Sequence, residues 1–165
     1  MTSEKKLFIG LLGEPNSGKT TTWNTLFNGK TKTGIHERGL KLFHLMWEDV
    51  FLINGSPEET NIPLVDRLGV LSPRILLSSL QYIDQVQASL SYIYKNYDDI
   101  FIMWLNPGFQ SELIDDTNSD VGLNLMSELI TKGATVCMRD GSKANINAQE
   151  IRAYIQGWAI NNFKP

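Results

Sequence analysis

Gly13-Glu14-Pro15-Asn16-Ser17-Gly18-Lys19-Thr20 is the stretch on which the reading of the chain turns. It follows the apolar run Leu7 to Leu12 (LFIGLL) directly, and Trp23, Leu26 and Phe27 after it fall at the three- and four-residue spacing of a helix that ends near Asn28-Gly29. The local order is therefore strand, loop, helix. The loop itself fits G-x-x-x-x-G-K-[ST]. Its glycines let the backbone curl so that consecutive N–H groups point inward, an anion nest at the positive end of a helix. A triphosphate fits such a nest. Lys19 would then reach the β and γ phosphates, and the Thr20 hydroxyl would be a ligand of a magnesium ion that otherwise keeps water and phosphate oxygens. A tight glycine turn with a solvated lysine is the plain structural alternative.

Outward from this loop, short apolar runs alternate with helical patterns, which predicts an α/β sheet. Residues 38–46 (RGLKLFHLM) and 50–54 (VFLIN) are two strand-like runs separated by Trp47-Glu48-Asp49, too short for a crossover, so they are expected to pair as an antiparallel hairpin. Gly55 to Asn61 reads as a polar stretch, followed by a short segment ending near Gly69 and a strand over Arg74 to Leu80. Ile83, Val86, Leu90, Ile93 and Tyr94 predict a helix, and Ile100 to Leu105 a buried strand. After a polar loop over Ser111 to Ser119, Val121, Leu125, Met126, Leu129 and Ile130 predict a helix, Ala134 to Met138 a strand, and Ile151, Tyr154, Ile155 and Trp158 a last helix. Asn147 with Glu150 reads as the cap of that helix.

The chain has 165 residues, the length of one domain, and residues 1–165 are read as a single one. With 42% apolar and 20% charged residues it has too much to bury for a disordered chain and too much polarity for a membrane protein. Fifteen basic against 18 acidic side chains give a net charge of −3, which argues against nucleic acid as a partner. Cys137 is the single cysteine and can make no internal disulfide. Lys5 and Lys6 before the first apolar run mimic a signal peptide, but the run stops at Glu14 and Pro15. No other run approaches the eighteen or so apolar residues of a membrane span. A cytoplasmic protein without a membrane partner is the expectation.

The loop resembles that of the P-loop nucleotide hydrolases, and GEPNSGKTTTWNTLFNG is similar to the first loop and helix of the translation-factor-like GTPases. The close match covers residues 7–29, and the order helix, antiparallel hairpin, polar turn extends it more weakly. The resemblance implies a three-layer α/β P-loop NTPase domain, mainly parallel with one antiparallel strand, that binds a nucleoside triphosphate with Mg2+. It implies that Gly13, Glu14, Pro15, Asn16, Ser17, Gly18, Lys19, Thr20 and Thr21 hold the phosphates. Two departures stand out. Where the family has an aspartate at the end of the third strand, the chain has Asn54, a neutral and weaker partner for the magnesium shell than a carboxylate. Asp49, Glu58, Glu59 and Asp66 are the nearby acids, and Glu58 and Glu59 lie where the family places a water-positioning residue. The Asn-Lys-x-Asp segment that reads guanine is replaced by Leu105-Asn106-Pro107-Gly108-Phe109, so only Asn106 is left to touch a base. Asp140, in the loop Arg139 to Lys143, is a candidate for a displaced base-reading acid. Thr31, Thr33 and Arg38 lie where a first switch loop would be; a basic surface loop explains the same letters.

Three functions compete. A slow magnesium-dependent hydrolase or switch acting on ATP or GTP uses Lys19, Glu58 and Glu59 for chemistry and Thr20 with Asn54 for the metal. A small-molecule or nucleoside monophosphate kinase would add an acceptor clamp, for which Arg38, Arg67, Arg74 and Arg139 are available. A non-catalytic nucleotide-binding module would work through a protein partner.

Overall fold

The computed structural model describes residues 3–81, 85–105 and 116–163, with side chains described over the same stretches except 116–121. The first strand, β1 (Leu7–Leu12), sits inside a six-stranded sheet. The others are β2 (Arg38–Lys41), β3 (Trp47–Ile53), β4 (Ile75–Leu80), β5 (Asp99–Leu105) and β6 (Thr135–Arg139), in the spatial order β2-β3-β4-β1-β5-β6. All neighbours are parallel except β2 and β3. The expected fold class, a mainly parallel α/β sheet with one antiparallel strand, is the one observed.

Continuous apolar runs make central strands because both faces of a parallel sheet are covered. Alternate residues accordingly go to opposite cores. Phe8 and Leu12, Phe51 and Ile53, and Ile102 and Trp104 pack on one side, while Leu7, Ile9 and Leu11, Val50 and Leu52, and Phe101 and Met103 pack on the other. The first core is closed by α3 (Leu64–Leu68), α4 (Val86–Asn96) and α5 (Asp116–Thr131), and the second by α1 (Lys19–Leu26) and α6 (Ala144–Asn161). Trp23 fixes α1 in place: its ring is fully buried and its Nε1–H donates to Ser79 Oγ on β4 at 2.9 Å.

Several boundaries differ from the sequence reading. The hairpin forms, but its turn is Leu42 to Met46, while Trp47-Glu48-Asp49 belongs to β3 and faces Lys41, Leu40 and Gly39 in register. The turn contains the 3-10 segment Phe43–Leu45, with His44 and Leu45 at φ 55° and 63°, and those letters carry no turn signal. The polar stretch after β3 contains the short helix α2 (Pro57–Thr60). Its signal was present in Ser56-Pro57-Glu58-Glu59: serine at the cap, proline at the first position, and Ser56 Oγ accepting from the Glu59 N–H at 3.2 Å. α5 begins at Asp116, inside the segment read as a loop. Asn147 lies within the first turns of α6 instead of capping it, buried, with Nδ2 donating to the Asp140 carbonyl, and Glu150 pairs with Arg139.

Candidate functional site

The Gly13 loop leaves the carboxyl end of β1, the strand at which the chain passes from β4 on one side to β5 on the other, a crevice where open α/β sheets place ligands. Gly13 N–H donates to the Leu80 carbonyl at the end of β4, and a Cβ on Gly13 would strike the Ser17 side chain. Gly18 ends the loop at φ 99°, a conformation that costs a residue with a Cβ, and caps α1 without any side-chain hydrogen bond. Among the described residues no side-chain cap closes the start of α1, and its first turn contains no acidic residue.

A cavity of about 430 Å3 opens over this helix end, lined by Pro15 to Thr21, Asn54, Gly55 and Glu59. Lys19 is only 6% exposed, and its ammonium donates to the carbonyls of Gly13 at 2.5 Å and Glu14 at 3.0 Å. Glu59 Oε1 lies 3.9 Å from that nitrogen. Burial pulls the Lys19 pKa below its ordinary value, and the charges of Glu59, Glu58 and Glu14 oppose the shift. Thr20 Oγ1 donates to Asn54 Oδ1 at 3.3 Å, so these two candidate metal residues meet although β4 lies between β3 and β1.

The paired acids Glu58 and Glu59 are separated by the helix they share. Glu59 lines the cavity, whereas Glu58 is buried and its carboxylate accepts from Ser89 Oγ at 2.7 Å and from the Gln81 N–H at 3.2 Å. Asp49 lies in the first half of β3 and Asp66 is exposed on α3; neither lines the cavity. A second cavity of about 430 Å3 is lined by Thr21, Thr25 and residues 142–146, and Thr21 lines both. Asp140 stands beside it with Oδ1 accepting from Ser142 N and Oγ at 2.9 and 2.7 Å, bonds that hold its carboxyl below the usual range. Asn106 and Phe109 lie outside the described residues.

The four arginines named for an acceptor clamp are dispersed. Arg38 donates to the Lys32 carbonyl and stacks over Phe27, Arg67 lies on α3, Arg74 pairs with Glu4 and Glu48, and Arg139 makes a two-bond pair with Glu150. None of them lines the first cavity. Among the described residues, no group of three or more His, Cys, Asp or Glu side chains is placed to hold a metal ion, and no helix is long and apolar enough to cross a membrane. No family model and no curated protein matches the chain.

Proposed function

We propose that the protein binds a nucleoside triphosphate in the Gly13 to Thr21 loop and hydrolyses it slowly with Mg2+, as a P-loop NTPase. The observation that carries this reading is the buried Lys19 ammonium in the lining of a cavity that the first turn of α1 also lines. A buried cation is costly, and an anion that shares the cavity offsets the cost. Backbone N–H groups of the loop cradle the phosphates, and Lys19 stabilises charge that builds on the γ phosphate during transfer. Thr20 would hold the magnesium ion, a hard cation suited to the oxygen donors gathered here. The two cavities share Thr21, and with phosphates in the first the second is the place we propose for the sugar and base.

In the chemical step a water oxygen attacks the γ phosphorus in line, the bond to the bridging oxygen breaks, and a water proton passes to a nearby base. Glu59, the acid that lines the cavity, is the residue that orients this water. The dispersal of the four arginines favours water over a phosphorylated acceptor. Phosphate release from ATP or GTP, with magnesium and no added acceptor, tests the reading. Multiple turnovers that Glu59→Gln abolishes are expected; release that requires an acceptor would move the protein to the kinases.

A further inference from the structure

Asn54, which follows the last residue of β3, ties together three segments that are distant in sequence. Its Oδ1 faces Thr20 Oγ1 on α1 at 3.3 Å. Its Nδ2 donates to the Thr31 carbonyl and to Thr31 Oγ1, both at 3.1 Å, and its backbone N–H donates to Thr33 Oγ1 at 3.1 Å. Thr31 in turn donates through its N–H and its hydroxyl to Asn24 Oδ1 on α1, at 2.8 and 2.9 Å. We propose that Asn54 is a positioning residue that couples the Thr20 hydroxyl to the segment 31–33, so that engagement of Thr20 is transmitted to that segment.

The chemistry of the side chain supports this. The position requires one acceptor, toward Thr20, and one donor, toward Thr31, on the same planar group, and an amide has both. An ionised aspartate of the same shape has acceptors only, and would turn a negative oxygen toward the Thr31 carbonyl. The amide that stands where a carboxylate was expected is therefore matched to the segment it holds. A cation on the Thr20 oxygen leaves the hydroxyl proton directed at Asn54 and strengthens that bond, so the direction of coupling is toward a tighter segment. Lys19 and Glu59 line the cavity that Asn54 also lines, and Arg38 donates to the neighbouring Lys32 carbonyl; none of the three hydrogen-bonds the Asn54 side chain.

This inference rests on the nucleotide reading for its purpose alone, and the deciding experiment needs no nucleotide. Backbone hydrogen exchange is followed across residues 30–37 in the full chain, for wild type, Asn54→Asp, Thr20→Val and the double variant. Asn54→Asp is expected to speed exchange of the Thr31 to Gly34 amides about tenfold and Thr20→Val about threefold, with the amides of β1 and β5 unchanged. In the double variant Thr20→Val is expected to add nothing, because the path from Thr20 is already cut. Unchanged exchange in Asn54→Asp, or fully multiplicative effects in the double variant, would overturn the coupling. Asn54→Ala provides the same reading without an introduced charge, and a failure of nucleotide binding, read separately by calorimetry, leaves this outcome intact.

Discussion

The Gly141 carbonyl oxygen lies directly against Gly18, where any Cβ would sit well inside contact distance. The loop after β6 thus closes over the glycine loop after β1, and Gly18 is needed twice, for its φ of 99° and for the space above it. Gly18→Ala is expected to destabilise the fold by about 2 kcal/mol or more, from left-handed strain plus displacement of residues 140–142. Urea unfolding measures it, and the second cavity, lined by Ser142 and Lys143, should change with it.

Lys19 should show stability and function pulling in opposite directions. Its pKa is depressed mainly by burial. Between that lowered value and the 10.5 of the free side chain, the unfolded chain holds a proton that the folded chain has lost, so stability contributed by this residue rises with pH across that window. Lys19→Met should remove this rise and leave stability at neutral pH within about 1 kcal/mol of wild type, while triphosphate affinity falls about a hundredfold. Unfolding curves at neutral pH and near pH 10, set beside binding isotherms, test both halves.

Glu58 and Glu59 should separate cleanly. Glu58→Ala leaves the Ser89 hydroxyl and the Gln81 N–H without their acceptor, at a cost of about 2 kcal/mol. Glu59→Gln, on a side chain one-third exposed, should change stability by less than about 0.5 kcal/mol and act on phosphate release instead. The opposite assignment of effects would move the water-orienting role to Glu58.

Much of this was legible in the sequence, for identifiable reasons. Apolar runs such as Leu7 to Leu12 and Ile100 to Leu105 became central strands because nothing polar interrupts them, and the glycine loop was placed by its own spacing. What escaped was decided by contacts distant in sequence. Glu58 and Glu59 look equivalent as letters; Ser89, 31 residues on, makes one of them a buried anchor. Asn147 resembles a cap until the Asp140 carbonyl claims its amide. The α2 helix was readable from its Ser-Pro-Glu-Glu start, whereas the hairpin turn at His44 and Leu45 was not, because leucine rarely adopts positive φ and no glycine, proline, asparagine, aspartate or serine marks residues 42–46. The partners of Asn54, Thr20, Thr31 and Thr33, are likewise distant in sequence, so the role proposed for it has no local signal.

Cys137, half-buried on β6, should be a sluggish nucleophile. Burial pushes its thiol up to about 11, Glu150 adds to the shift, and Arg139 opposes it. Alkylation by iodoacetamide at pH 8 should run about a hundredfold slower than for a free thiol and accelerate as the pH approaches 11. The rate against pH, followed by mass spectrometry, checks the position of the midpoint.

Calorimetric titration of ATP and of GTP, each with and without magnesium, decides whether the loop from Gly13 to Thr21 is a nucleotide phosphate site. Saturable binding of at least one nucleotide, strengthened by magnesium and lost in a folded Lys19→Met variant, is the predicted result. No heat from either nucleotide under any of these conditions, with the wild-type protein folded and Lys19→Met indistinguishable from it, would mean that the loop holds no nucleotide.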